Sequence, residues 1–227
     1  MDQNSFYDLM QKRQSVRAYL PDPVPQQVVE HIIETARLAP SGANLQPGEF
    51  HALTGEALEK LKTALLDAAQ SKRPTVSEYS YFPENMSAEL KARQRATGYA
   101  LYDSVGITRR DVNRRREQFL QNYRFFDAPV GIVVCIQRDM GKGCFMDLGM
   151  AVMSLLLAAQ SAGLGATGIG ALANHADVVH DTLSLQHNSM VVCGIALGKP
   201  DWEHPINQFK TTREALEGYA TFKGFDG

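Results

Sequence analysis

The stretch from Asp147 to Ala162, DLGMAVMSLLLAAQSA, constrains this chain more than any other segment, because it is predicted as a helix that is apolar on nearly every side. A helix without a polar face needs partners all round, at the centre of a domain or against a second copy of the chain. With 44% hydrophobic residues in a chain of 227, a large core is available, and burial of this helix between subunits makes a homodimer the expected assembly. Gly163 is the natural left-handed residue to end the helix. That placement disposes of a decoy. Gly163-Leu164-Gly165-Ala166-Thr167-Gly168 satisfies the dinucleotide fingerprint GxGxxG, but the motif works after a strand and before a helix, and here the order is reversed.

Around this helix the pattern alternates. Gln26–Ala39 carries Val28, Val29, Ile32, Ile33 and Ala36 at helical spacing behind Pro25, and Glu49–Leu53 reads as a strand leading into a helix over Glu56–Ala69. Val130–Gln137, Leu164–Ile169 and Met190–Leu197 are further strands, and Trp202–Phe225 an irregular tail. Strands separated by helices predict a mixed sheet between two helical layers. One domain is expected over residues 1–227, with a helical excursion at about 71–122 where Pro74, Pro83 and several tyrosines break any single apolar face; its helices are placed at Ser87–Val105 and Thr108–Tyr123.

A formal net charge of −2, from 23 basic and 25 acidic residues, gives no electrostatic footprint for nucleic acid or an anionic membrane. The basic run Arg109–Arg116 could form a nucleic-acid arm, but Asp103, Asp111 and Glu117 dilute it, which favours a solvated helix face. The first ten residues lack the basic flank and apolar run of an export signal, and the apolar stretch Met150–Ala159 is short for a bilayer, so a cytoplasmic location is expected. Cys135, Cys144 and Cys193 form no CxxC pair, and no disulfide framework is expected.

Two separated segments carry the chemistry. Arg13, Ser15 and Arg17 fall at every second position, so an extended backbone points all three the same way; Lys210-Thr211-Thr212-Arg213 offers a second cationic fork. Arginine forks match phosphate oxygens two at a time, and together the segments suggest a bound nucleotide cofactor. Gly168-Ile169-Gly170 closes a short strand, where glycines either leave backbone N–H groups open to a flat ligand or simply make a turn. The six histidines do not fall at metal-ligand spacing, and there is no GxSxG and no P-loop. An enzyme built this way takes its chemistry from the cofactor.

These residues resemble a known family, the FMN-dependent nitroreductases. RQSVRAY at Arg13–Tyr19, APSGANLQP at Ala39–Pro47, FFDAPVGIVV at Phe125–Val134 and GLGATGIGAL at Gly163–Leu172 fall in the family's order, followed by the basic tail ending at Arg213. YSYFPE at Tyr79–Glu84 and GITRRD at Gly106–Asp111 are similar to the branch that includes nitrobenzene and nitrobenzoate reductases. The resemblance implies an α+β, three-layer α-β-α fold and an intertwined homodimer holding FMN in the subunit interface. It implies that Arg13, Ser15, Arg213 and Lys210 hold the phosphate, that Gln14, Arg17 and Arg124 face the pyrimidine and ribityl side, and that Ser41, Gly42 and Asn44 come from the partner subunit. Gly168, Ile169 and Gly170 would pass along the ring, the Gly170 amide assisting at the nitrogen that receives hydride.

Two departures stand out: Pro47 is followed by Gly48 where many relatives carry an aromatic residue, and Gly170 stands where others carry an acidic one. The activity implied by the resemblance is a two-electron, ping-pong NADH- or NADPH-dependent reduction of nitroaromatic or related electron-poor acceptors, with no protein nucleophile. Ala43, Tyr81, Phe82, Tyr99 and Tyr102 are candidate acceptor contacts, the tyrosines, with Tyr79, serving either as a lid or as packing for the excursion's own helices. On the same scaffold the alternatives are a reductive dehalogenase, a quinone or flavin reductase, or a flavin-binding protein without turnover.

Overall fold

Successive side chains of β2 (Val130–Gln137) point to opposite faces, and every one but the last is buried. Val130, Ile132, Val134 and Ile136 enter an apolar layer with α2 (Gln26–Ala36) and α6 (Lys142–Ser161), whereas Val133 and Cys135 enter another with α3 (Gly55–Gln70) and α7 (Ala176–Leu183). A strand dry on both faces belongs inside a sheet. The computed structural model describes residues 3–71 and 73–225, and in it β2 is a central strand of a four-stranded sheet in the order β1-β2-β4-β3, with β1 at Glu49–Thr54, β3 at Gly165–Ile169 and β4 at Ser189–Gly198. Helices cover both faces, which gives the three layers.

All three ladders are antiparallel, in place of the expected mixed sheet. The helical crossover through α6 does set β3 in the same direction as β2, but β4 then inserts between them, antiparallel to both. Parallel pairing survives as isolated bridges, of Ser15 with Ala166 at the β3 rim and of Val76 with His175.

Element ends differ from the sequence pattern for local reasons. α2 stops at Ala36, and Leu38 and Ala39 close tighter turns back to Thr35 and Ala36, because Pro40 bars its predecessor from the helical region. α6 begins at Lys142, five residues before the apolar run announces it, since Lys142 and Gly143 carry no apolar signal. α4 (Ala88–Ser104) starts behind Ser87, whose hydroxyl accepts from the Leu90 N–H; α5 (Val112–Leu120) waits for Asp111 to do the same for Arg114. The tail contains short helices at α8 (Pro205–Gln208) and α9 (Leu216–Tyr219), and α1 (Gln3–Lys12) precedes the first cationic segment.

Gly163 ends α6 with φ 75°; its N–H reaches the Gln160 carbonyl at 3.1 Å and the Leu164 N–H reaches Ala159 at 2.9 Å, a complete Schellman closure. α6 itself is only part-covered by its own chain: Leu148, Leu155 and Ala159 are buried, whereas Met146 is 71% exposed. By length and composition α6 could cross a bilayer, which the shorter Met150–Ala159 stretch does not suggest; here it packs on α2 and β3.

The pairing of β2 with β4 skips one residue, Cys135 facing Val191 and Val134 facing Cys193. Val192 is therefore the extra residue of a β-bulge, and such residues lose ladder partners. Side chains from the excursion replace them. The Tyr79 hydroxyl donates to the Val192 carbonyl at 2.7 Å, and Glu78 Oε2 accepts the Val191 N–H at 2.7 Å.

Candidate functional site

Residues 13–17 run alongside the start of β3. The Val16 N–H donates to the Ala166 carbonyl at 3.3 Å, and the Val16 side chain is fully buried against Gly165, where an added Cβ would lie 2.5 Å from Val16 Cγ2. With Val16 turned inward, Ser15 and Arg17 turn outward. They meet Arg13, Gln14, Lys210, Thr211 and Arg213 around one cavity of about 350 Å³. Both cationic segments thus converge on one space. Burial, and then the neighbouring Arg213, draws the Arg13 pKa below its ordinary value; burial likewise lowers Arg17, with Tyr19 opposing. Like charges held together at a part-dry surface call for an anion between them.

Asn207 brings the segments together, and no sequence signal marks it. It is 2% exposed and every polar group is used: Oδ1 accepts the Arg17 N–H at 2.8 Å, Nδ2 donates to the Ala18 and Asp201 carbonyls at 2.8 and 2.7 Å, and its own carbonyl accepts from Gln14 Nε2 at 2.6 Å. One side chain thereby fastens the C-terminal arm to the N-terminal one.

From Ala166 the outer edge of β3 continues to Gly168, Ile169 and Gly170. Gly168 faces open space and Ile169 is buried beneath, so the backbone of this edge is presented bare. Four residues of strand span about 13 Å, the reach from a phosphate grip to Gly170. At Gly170 a Cβ would lie 3.0 Å from the Tyr81 ring, so this glycine lets an aromatic side chain sit directly on the backbone. Tyr81 belongs to the wall of a second cavity, of about 770 Å³, with Tyr79, Phe82, Phe119 and Gly170. Burial foremost, then Cys193 and Tyr81, pushes the Tyr79 hydroxyl up to about 12, which keeps it a donor to Val192.

The remaining candidates lie elsewhere in the single chain. Ser41 lines a separate cavity of about 190 Å³ with Asp147 and Gly48 and shares no lining residue with the cationic one. Its loop is strained: Ala43, Asn44 and Gln46 all have φ near +50°. Asp147 Oδ2 holds it by accepting the Gly42 N–H at 3.0 Å, and Ser41 Oγ accepts the Gln46 N–H at 2.9 Å. The departure at Gly48 has a packing cause, since a Cβ there would lie 2.8 Å from Leu148 Cδ1. Arg124 opens a left-handed turn through Phe125, Phe126 and Asp127 and does not line the cationic cavity. Tyr99 and Tyr102 do not line the aromatic cavity; Arg109 stacks on Tyr99 at 4.1 Å and Arg115 on Tyr102 at 5.3 Å, so these two rings pack the excursion's own basic segment. The same contacts occupy part of the basic run.

Glu78 anchors the aromatic wall. Its Oε1 pairs with Arg138 and lies 3.4 Å from His180 Nε2, while Oε2 takes the Val191 N–H. Glu78→Ala leaves the Val191 N–H without its acceptor, at a cost of about 1–3 kcal/mol where buried, and leaves the Arg138 guanidinium held by the His187 carbonyl without its carboxylate. We expect faster proteolytic nicking within residues 76–84 and a raised KM for any acceptor bound at this wall, with cofactor content unchanged; an unaltered cleavage pattern would show that the wall is held by other contacts.

Comparison with known proteins places this arrangement. The chain is 33% identical over 223 residues to the 4-nitrobenzoate reductase of Pseudomonas putida, covering 98% of this chain and 97% of that one. It is 34% identical over 216 residues to the chloronitrobenzene nitroreductase of Comamonas testosteroni, covering 95% of each. The crystal structure of the FMN and NADPH-dependent nitroreductase NfnB from Sphigopyxis sp. strain HMH superposes with a TM-score of 0.94 at 33% identity, covering 96% of this chain and 99% of that one. The model of the Nitroreductase family matches residues 10–199, from the first cationic segment through the whole sheet, and the chain belongs to that family.

Proposed function

We propose that the protein is an FMN-dependent oxidoreductase that uses NADPH or NADH to reduce nitroaromatic or similarly electron-poor acceptors. The observation that carries this is the cavity where Arg13, Arg17, Lys210 and Arg213 converge, beside residues that pair with the start of the strand whose far end, at Gly170, borders an aromatic chamber. The residues fit a flavin mononucleotide. Crowded guanidinium groups suit its phosphate, the glycine edge suits a flat ring that a side chain would displace, and Gly170 marks the junction with the chamber. When bound, FMN supplies the two-electron chemistry.

The chain's own part is positioning and electrostatics. Arg13, Ser15, Lys210 and Arg213 hold the phosphate; Gln14 and Arg17 face the pyrimidine and ribityl side, where the fixed Arg17 charge favours an electron-rich ring. The Gly170 N–H would be a backbone donor for the flavin ring. Tyr79, Tyr81, Phe82 and Phe119 give a donor nicotinamide or an acceptor ring an apolar wall in turn and keep water away. Protons come from solvent or the flavin; no Asp, Glu or His lines this cavity among the described residues.

A homodimer completes the site. The loop carrying Ser41, Gly42 and Asn44 opens on a different cavity from the phosphate grip, which suits its reaching a cofactor held by a second copy of the chain. α6 leaves Met146 and Met150 exposed, α1 leaves Phe6 and Tyr7, and the tail leaves Tyr219 and Phe225 at least 80% exposed, an apolar surface that a second subunit would cover. We place the protein in the cytoplasm, where nicotinamide donors are at hand and its three free thiols stay reduced.

The test is spectroscopic and kinetic. FMN added to the apoprotein should bind with a perturbed visible spectrum and bleach on anaerobic addition of NADPH. Because donor and acceptor share one face, double-reciprocal plots of NADPH oxidation against nitroaromatic concentration should be parallel. Intersecting lines would require two simultaneous sites and would refute the shared chamber.

A further inference from the structure

The walls of the aromatic chamber offer an acceptor no charge and almost no free hydrogen-bond donor. None of its described lining residues is an aspartate, glutamate, lysine, arginine or histidine. Its hydroxyls are already spent on backbone carbonyls: Ser77 donates to Tyr79, Ser80 to Phe82 and Tyr79 to Val192, each at 2.7 Å. Asn174 gives one side-chain hydrogen bond to Tyr123. Arg138, at the foot of the wall, is taken up by Glu78. Among the described lining residues Tyr81 alone keeps a hydroxyl without a protein partner, on a ring that is 65% exposed.

A carboxylate moved from water to such a surface gives up several strong hydrogen bonds and regains at most that of the Tyr81 hydroxyl, whereas an uncharged ring loses little and stacks on aromatic neighbours. The two curated relatives, one named for an acid and one for a neutral halogenated ring, are almost equally similar to this chain, so overall identity does not choose between the two chemistries. The chamber does. Building on the nitroaromatic function above, we propose that this protein selects uncharged nitroaromatics and discriminates against carboxylated ones.

The experiment uses the FMN-loaded protein with NADPH at a pH where carboxylic acids are ionised, and compares 4-nitrobenzamide with the near-isosteric 4-nitrobenzoate. We expect kcat/KM for the amide to exceed that for the acid by on the order of thirty-fold, the size of an uncompensated polar burial. The two rings differ in electron demand, so the unreactive pair benzamide and benzoate is titrated against the spectrum of the bound flavin, and the amide should bind tighter by a similar factor. Ser80→Arg, on the exposed part of the wall, adds a partner for the acid and should narrow both ratios by about tenfold. If that variant does not fold, the two native ratios decide. Equal or better use of 4-nitrobenzoate, with benzoate binding as tightly as benzamide, overturns the proposal. A protein that binds FMN and oxidises NADPH yet reduces neither nitro compound overturns the nitroaromatic function itself, and the selectivity with it, so the two failures are told apart.

Discussion

Replacing Asn207 by leucine should destabilise the protein by about 2–4 kcal/mol, because the part-buried Arg17 N–H loses its acceptor while the Ala18 and Asp201 carbonyls each lose one of their two donors. The consequence extends to function. With the arms unfastened, Arg13 and Arg17 no longer face Lys210 and Arg213, and cofactor retention through gel filtration should collapse even below the unfolding transition. Asn207→Asp keeps the shape and the acceptor for Arg17 but not the two donors. A loss nearly as large as that of the leucine variant would assign the effect to those donors. Urea unfolding of the cofactor-free protein measures the first quantity and the flavin absorbance of the purified protein the second; native values for both in Asn207→Leu would remove Asn207 from its place as the fastener.

Arg13→Ala combined with Arg213→Ala should yield a colourless protein, with FMN affinity reduced on the order of a thousandfold or more by the loss of two charge-assisted phosphate contacts. The cofactor-free protein should respond oppositely. In the native chain burial and Arg213 both disfavour the charge on Arg13, so deleting the pair relieves repulsion and leaves thermal stability equal or slightly higher. This divergence separates a ligand site from a structural ion cluster. Full flavin content in the double variant would displace the phosphate from this cavity, and a lowered melting temperature without FMN would make the arginines structural.

Much of this was legible in the sequence where period and chemistry coincide. The alternation of β2 follows from an apolar run of strand length, and the outward row of Arg13, Ser15 and Arg17 from spacing by two. The sheet's direction was not, because helix-strand alternation reports that β2 and β3 run alike and says nothing of a later strand inserted between them. Tyr81 and Phe82 fall at the chamber while Tyr99 and Tyr102 fall under arginines, a distinction of tertiary packing that composition cannot carry. Asn207 and Glu78 were invisible for a different reason. Each is one polar residue bound to a backbone N–H over 100 positions away.

That separation has a consequence for biogenesis. The Arg17 amide waits 190 positions for its acceptor. At ordinary translation speeds of about 5–20 residues per second, the basic N-terminal arm is synthesised on the order of 10–40 seconds before Asn207 is polymerised. The cationic cavity, which needs residues 209–213 beside residues 10–17, therefore cannot form until almost the whole of the described chain has been made.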